Sequence, residues 1–359
     1  MIGRFHLLTA VALASAICSG ACSRLPQGAL LPVAQAETEG TSRVLVLAAT
    51  TRKRSTTDAG EMFDSELAEE LSYASLTVSI PPDASRRIGE VQWPTSLPAD
   101  PRQSFVTVSA DYLDKQSFDA ALSSAVKQGG RGRGKVLVFV HGFNNRFDEA
   151  VYRFAQIKHD SGAPAVPILF SWPSRGQVSL NAYQDDLEGA TKSRGAFEQL
   201  LDTLAVNANV KEVTVVCHSM GCFLTLEALR SKAARTGRIG AKVKNVLLVA
   251  PDVDINLFRT QMREMGSARP RFALFMSHDD HALKLSKSIW GGVPRLGDVD
   301  PDQDPYKTDF QRERIMVFDL SGLRGRAHSR AFEDVTSVMA MIEQRLAQGQ
   351  EMAPRSADQ

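Results

Sequence analysis

A serine lies at the apex of a predicted strand-to-helix turn, in the sequence CHSMG at 217–221. The preceding residues, 213–216, are all β-branched and predict a short buried strand. The following residues, 223–229, carry apolar side chains at helical spacing. Such a turn pushes the serine Oγ out of the sheet and sets the next N–H at a helix N-terminus. The pattern therefore predicts that Ser219 is a catalytic nucleophile rather than the N-cap of an ordinary helix.

The motif is G-x-S-x-G with its first glycine replaced by Cys217, a small residue that suits a close strand–helix contact. Cys217 and Cys222 flank the serine, and we interpret both as small apolar fillers of that contact. Once Cys18 and Cys22 of the leader are set aside, two cysteines do not make a disulfide framework.

A serine nucleophile needs a histidine to take its proton and a carboxylate to orient that histidine. In this arrangement the acid follows a late strand and the histidine follows the last strand. His328 is the only histidine beyond the final predicted strand, 314–320, and is therefore the predicted base. Spacing alone leaves four candidate acids, which follow the two preceding predicted strands, 243–250 and 271–277: Asp252, Asp254, Asp279 and Asp280.

A second loop has the composition expected of an oxyanion hole. The predicted strand 135–140 ends in the sequence HGFNN, where Gly142 lets the backbone approach a substrate carbonyl. The N–H groups of Phe143 and Met220 are the predicted oxyanion donors. His141 is predicted to brace the loop rather than to act as a base.

The next predicted strand, 166–171, runs into the sequence WPSRG at the same edge of the sheet. Its position predicts that Trp172 and Arg175 contact the substrate. A Trp that precedes a proline is equally typical of a packing anchor, and the sequence leaves this alternative open.

The order of strands predicts the fold class. Three strands, 43–49, 76–80 and 105–109, come before the main alternation of strands and helices and indicate an antiparallel N-terminal edge. The later alternation predicts a mostly parallel sheet with helices on both faces. We predict one α/β domain over 43–348 and a disordered tail over 349–359.

The N-terminus is typical of a secretory signal peptide over 1–21, with Arg4, an apolar stretch at 7–17 and a small-residue exit. It predicts export to the periplasm or cell envelope. Cys22 follows directly, and whether it carries a lipid is left open. Residues 22–42 lack periodicity and predict a flexible tether.

Composition favours a globular protein without a nucleic-acid partner. The chain has 359 residues, 43% hydrophobic and 23% charged, with a formal net charge of +1. The sequence HDDH at 278–281 does not predict a metal site, because four consecutive side chains cannot all aim at one ion. We predict neither a metal nor a cofactor, and the sequence does not set the oligomeric state.

Four stretches, VFVHGFNNRFDEAVYRFAQ, FSWPSRG, CHSMG and APDVD, resemble the bacterial α/β-hydrolase family catalogued as of unknown function. The likeness covers roughly residues 43–335, and members of that family are described as esterase- or lipase-like. Its acid loop reads S-x-x-D-x-A-L, which implies Asp280 as the acid. Its histidine is followed by serine, as in His328-Ser329. The resemblance implies an α/β-hydrolase fold and hydrolase activity on no agreed substrate.

The sequence thus predicts an exported serine hydrolase of small acyl substrates, most simply a carboxylic-ester hydrolase. Ser219 would form an acyl-enzyme, with His328 as base and Asp280 as acid. Two alternatives use the same residues or the same scaffold: an amidase or peptidase, and a non-catalytic envelope protein that binds a ligand.

Overall fold

The structure, a computed structural model, describes residues 28–36, 38–58, 60–96, 98–276, 283, 286 and 292–320. Within these ranges nine strands are present: β1 (Ser42–Arg54), β2 (Phe63–Ile80), β3 (Val106–Leu113), β4 (Lys135–Val140), β5 (Val166–Ser171), β6 (Glu212–His218), β7 (Val243–Val249), β8 (Arg271–Met276) and β9 (Met316–Asp319). The same ranges hold six α-helices: α1 (Lys115–Gln128), α2 (Phe147–Ser161), α3 (Leu180–Val206), α4 (Met220–Thr236), α5 (Ile255–Met265) and α6 (Tyr306–Arg312).

All nine strands belong to one sheet, in the order β3-β2-β1-β5-β4-β6-β7-β8-β9. The β1–β2 and β2–β3 pairs are antiparallel, and every other neighbouring pair is parallel. The predicted fold class is confirmed, with its mostly parallel sheet and its antiparallel N-terminal edge. Parallel strands end at a common edge, so the loops after β4, β5, β6 and β7 come together there.

Apolar cores cover both faces of the sheet, which explains why the central strands are almost continuously hydrophobic. In β4 only Lys135, at its start, is exposed. One core receives side chains of α1, α3, α4 and α5, including Phe118, Phe197 and Phe258. The other core receives those of α2, including Phe154. The helices therefore lie on both faces, as predicted.

The antiparallel edge is longer than its hydrophobic pattern indicated. The apolar run predicted only 76–80, whereas β2 begins at Phe63. Its first half is rich in polar residues and pairs with the end of β1 across two irregularities, on either side of Arg52. This extension brings Arg52 beside the loops that follow the parallel strands.

Residues 28–36, part of the segment predicted as a tether, lie against the domain. Ala29 and Leu30 are buried. The Ala29 carbonyl oxygen accepts hydrogen bonds from Tyr152 Oη at 2.7 Å and Thr107 Oγ1 at 2.9 Å. The segment therefore supplies an acceptor that two buried hydroxyls need.

The predicted signal peptide, Cys22 and the tail over 349–359 lie outside the described residues. None of the helices that the structure describes has both the length and the hydropathy required to cross a membrane.

Candidate active site

Ser219 lies between the last residue of β6 and the first residue of α4, with backbone angles φ 49° and ψ −122°. A positive φ is costly for a residue with a Cβ and persists only where neighbouring contacts impose it. The Ser219 N–H donates to the Val249 carbonyl at 3.0 Å. The Ser219 carbonyl accepts from the N–H of Cys222 at 3.0 Å and of Asp252 at 3.3 Å. This strained, fully bonded turn from strand to helix has the backbone conformation expected of a nucleophile elbow.

Two glycines explain how closely the elbow is packed. A Cβ on Gly221 would lie 2.3 Å from the His141 carbonyl oxygen, so the first turn of α4 rests on the end of β4. A Cβ on Gly142 would lie 3.1 Å from the Ser219 Cβ. The loop 141–146, which we call the HG loop, is therefore in direct contact with Ser219.

Cys217 and Cys222 form a disulfide, with their Cα atoms 4.9 Å apart. Our interpretation of them as unpaired fillers was wrong. The elbow reverses the chain within a few residues and brings the end of β6 against the first turn of α4. The side chains that flank Ser219 in the sequence therefore meet, although neither the number of cysteines nor their spacing had predicted a pair.

His141 is held as a neutral ring by three partners. Its Nδ1 lies 2.9 Å from the Gly142 carbonyl oxygen and its Nε2 lies 3.0 Å from Ser171 Oγ, while the Trp172 N–H donates to Nε2 at 3.2 Å. A carbonyl only accepts and an amide only donates, so Nδ1 carries the proton and Nε2 is the acceptor. Burial, and next the charge of Arg52, lower the pKa of His141 to about 3. Its predicted role as a brace fits this geometry.

This brace fixes the direction of the candidate oxyanion donor. The Gly142 carbonyl and the Phe143 N–H belong to one trans peptide, in which the two groups point in opposite directions. The Asn145 Nδ2 also donates to the Gly142 carbonyl, at 3.3 Å, and to the Phe143 carbonyl, at 2.8 Å. Asn144 has φ 58°, a conformation that Asn tolerates better than most residues. In the described part of the chain, no group accepts a hydrogen bond from the Phe143 or the Met220 N–H.

Trp172 and Arg175, the predicted substrate contacts, lie in the loop 172–179, which we call the WP loop. Trp172 is fully buried, stacks on the His141 ring at 5.0 Å between centroids, and donates from Nε1 to the His141 carbonyl at 2.9 Å. These contacts are those of a packing anchor. The Arg175 side chain is about half exposed and pairs with Asp185 at 3.3 Å.

Asp252, one of the four candidate acids, is buried beside the elbow and already has two hydrogen-bond donors and an ion-pair partner. Tyr183 Oη donates at 2.6 Å to Oδ2. Ser286 Oγ donates at 2.7 Å to Oδ1, and Arg295 Nε lies 3.1 Å from the same oxygen. The carboxylate is therefore engaged on both oxygens by residues other than histidine.

Of the three remaining candidate acids, one caps a helix and two lie outside the described residues. Asp254 is the N-cap of α5, where its carboxylate accepts from the N–H of Asn256 at 2.7 Å and of Leu257 at 3.2 Å. Asp279, Asp280 and His328 lie outside the described residues. The structure thus brings together Ser219, the HG loop and the WP loop, and leaves the predicted base and acid untested.

Sequence reasoning missed two hydroxyls that shape the site. Ser171 connects β5 to His141, and Tyr183 connects α3 to Asp252. A polar residue at the end of an otherwise apolar strand, as in VPILFS, was the available signal for Ser171. No local signal marked Tyr183.

The fold and the strained serine turn define an α/β hydrolase. A family model described as alpha/beta hydrolase of unknown function (DUF900) matches residues 114–345, and the chain belongs to that family. No curated protein matches the chain.

Solved structures of hydrolases are similar at low sequence identity. A predicted CIB-like hydrolase from Thermoplasma acidophilum is 13% identical, with a TM-score of 0.32 over 58% of this chain and 86% of that chain. An esterase from Pyrobaculum calidifontis is 12% identical, with a TM-score of 0.30 over 64% and 94%. Est1E from Butyrivibrio proteoclasticus is 10% identical, with a TM-score of 0.36 over 59% and 88%.

Proposed function

We propose that the protein is a serine hydrolase that cleaves carboxylic esters of small acyl substrates through an acyl-enzyme on Ser219. The observation that carries this proposal is the backbone of Ser219, held at φ 49° between β6 and α4 and in contact with Gly142 of the HG loop. An ordinary N-cap serine has no need of a positive φ, since N-cap residues adopt extended angles. Strain of this kind is a feature of functional sites.

In the proposed reaction, Ser219 Oγ attacks the ester carbonyl while His328 takes its proton, and Asp280 orients and stabilises the His328 ring. The negative charge that develops on the carbonyl oxygen is met by the N–H groups of Phe143 and Met220. Each such donor contributes roughly 3–4 kcal/mol to the transition state. His328 then protonates the leaving alcohol, and water, activated by the same histidine, hydrolyses the acyl-enzyme.

Two observations support this assignment of the acid. Asp254 caps α5, and Asp252 already accepts from Tyr183 and Ser286 and pairs with Arg295. Asp280 is then the candidate left by the family's acid-loop pattern. The signal peptide predicted over 1–21 supports action in the periplasm or cell envelope.

Covalent labelling with a fluorophosphonate probe tests the proposal. We expect the wild-type protein to be labelled and to hydrolyse p-nitrophenyl esters, with graded acyl chains reporting the preferred length. Ser219→Ala should lose both properties. Ser161→Ala, at the end of α2 and away from the site, is the matched control and should retain both.

Each alternative has its own result. A folded wild-type protein that is not labelled and cleaves no ester would be a binding protein on a hydrolase scaffold. Hydrolysis of amides at rates comparable to esters would make it an amidase or peptidase with the same nucleophile.

A further inference from the structure

An arginine is fully buried where β1 passes the HG and WP loops. Arg52 is 1% exposed. Its Nε donates to Ser171 Oγ at 2.9 Å, and its Nη1 donates to the carbonyl oxygens of Ser174 and Asp64, both at 3.1 Å. Its Nη2 donates to the Asn145 carbonyl at 2.6 Å. One guanidinium thus holds a carbonyl of each loop.

A buried carboxylate holds the same two loops by their N–H groups. Asp186, in α3, is 1% exposed. It accepts from the Asn144 N–H at 3.2 Å, from the Arg175 N–H at 2.7 Å and from Ser174 Oγ. The two charges therefore act on adjacent groups. In the HG loop, Asp186 accepts from the Asn144 N–H and Arg52 donates to the carbonyl of the next residue, Asn145. In the WP loop, Asp186 accepts from the Ser174 hydroxyl and the Arg175 N–H, and Arg52 donates to the Ser174 carbonyl between them.

We propose that Arg52 and Asp186 are positioning residues that set the HG loop in its oxyanion-binding conformation. This inference rests on the proposed function, because it assigns a role to the loop that carries the Phe143 N–H. We call the pair the loop clamp.

A chain of hydrogen bonds connects the loop clamp to the oxyanion peptide. The Arg52 Nε–H donates to Ser171 Oγ, which leaves the Ser171 hydroxyl hydrogen for His141 Nε2. The opposite side of that ring, Nδ1–H, donates to the Gly142 carbonyl and so directs the Phe143 N–H. A displacement of Arg52 would therefore move the Ser171 hydroxyl, then the His141 ring, and finally the Phe143 N–H.

The chemistry of the guanidinium suits this position better than an ammonium. Arginine offers five N–H donors in one rigid plane, whereas lysine offers three on a single atom at the end of a flexible stem. Burial lowers the pKa of Arg52 to about 10, and the nearby charge of Asp186 is the largest effect that opposes this. The group remains charged at neutral pH and keeps all of its donors.

Steady-state kinetics of Arg52→Met, Arg52→Lys and Asp186→Asn test the loop clamp. Because a 1 Å misplacement of a catalytic group reduces turnover by about 100-fold, we expect kcat of Arg52→Met to fall by about that factor with KM little changed. Arg52→Lys should recover part of the loss. Asp186→Asn keeps one acceptor oxygen and should reduce kcat by about tenfold.

Arg86→Met is the matched control for losing a buried arginine. Arg86 has 2% side-chain exposure and is paired with Asp160. Arg86 comes six residues after Ile80, the last residue of β2, which pairs with Ser42 at the start of β1. It therefore lies near the end of the sheet where β1 begins, opposite the end that carries the site. We expect this variant to lower the thermal midpoint while kcat per folded molecule stays at the wild-type value.

A second readout separates positioning from loss of folded protein. Fluorophosphonate titration counts the competent sites, and kcat is then expressed per labelled site. A trifluoromethyl ketone that adds to Ser219 mimics the oxyanion, so its Ki should rise in proportion to the loss of kcat/KM in Arg52→Met.

The two proposals fail differently. A wild-type protein without esterase activity or labelling overturns the proposed function before the variants are made. If the wild type is active, full kcat per labelled site and an unchanged Ki in Arg52→Met overturn the loop clamp. Should Arg52→Met not fold, the same criteria are applied to Arg52→Lys and Asp186→Asn.

Discussion

Two buried carboxylates, Asp186 and Asp252, lie on opposite sides of the Ser219 elbow and differ in what they bind. Asp186 accepts backbone N–H groups of the HG and WP loops, on the side of β4 and β5. Asp252 accepts the side-chain hydroxyls of Tyr183 and Ser286 and pairs with Arg295, on the side of β7. The first orders peptide groups, and the second connects side chains from distant parts of the chain.

The difference matters because an oxyanion hole is made of peptide groups. A carboxylate that accepts a backbone N–H fixes the orientation of the neighbouring peptides, whereas one that accepts a hydroxyl leaves the backbone free of that constraint. The same helix reaches both sides, since Tyr183 and Asp186 are one turn apart in α3. We therefore expect the β4 side to govern turnover and the β7 side to govern stability.

The largest expected effect comes from comparing Asp280→Asn with Asp252→Asn. Loss of the triad acid lowers kcat on the order of 10⁴-fold, because the histidine adopts the wrong tautomer. We expect that loss in Asp280→Asn and less than a tenfold loss in Asp252→Asn, measured with a p-nitrophenyl ester. The Asp252 variant should instead have a lower urea midpoint, since Arg295 loses its buried partner charge. A loss of kcat in Asp252→Asn as large as that in Asp280→Asn would make Asp252 the acid.

Adding a methyl group at Gly221, on the β4 side of the elbow, should have the next largest effect, on stability as well as on activity. In Gly221→Ala the added Cβ would meet the His141 carbonyl at 2.3 Å, and backbone cannot yield as a side chain can. We expect a loss of unfolding free energy of about 3 kcal/mol or more, together with reduced activity.

Gly195→Ala, in the middle of α3, is the matched control. A Cβ there meets nothing within 4 Å, so the substitution should raise the unfolding free energy by about 0.5–1 kcal/mol. Urea denaturation of both variants measures the difference. Equal changes in unfolding free energy for the two substitutions would mean that the first turn of α4 does not pack against the end of β4 as described.

The smallest expected effect is a pH dependence of stability that arises from His141. Its pKa is about 3 in the folded protein and 6.5 in the unfolded chain, so only the unfolded chain takes up this proton between those values. The contribution to stability is complete above pH 6.5 and is lost as the pH falls, reaching a loss of about 2 kcal/mol at pH 5.

The variant His141→Asn isolates that contribution. Burial raises the pKa of Asp148 to about 6, which acts in the opposite sense over an overlapping range and is present in both proteins. The unfolding free energy of the wild type should therefore fall more steeply than that of His141→Asn between pH 6.5 and 4. Parallel curves would show that His141 is protonated in the folded protein.

The sequence predicted the central strands best, because burial on both faces makes the strand and its hydrophobic run coincide. The predicted bounds of β4 and β5, 135–140 and 166–171, are those of the structure. It predicted β2 poorly, because the first half of that strand is polar and largely exposed, with no alternation of buried and exposed residues. Its pairing with β1 depends on a partner distant in the chain.

The same contrast applies to the candidate site. Chain order and local pattern were enough to predict Ser219 at a strand-to-helix turn and the HG loop at the end of β4, because both features are built from residues adjacent in sequence. Arg52, Asp186 and the Cys217–Cys222 disulfide depended on the meeting of β1, α3, β6 and α4. Charge placement and thiol pairing are properties of distances in space, and only the tertiary structure decides them.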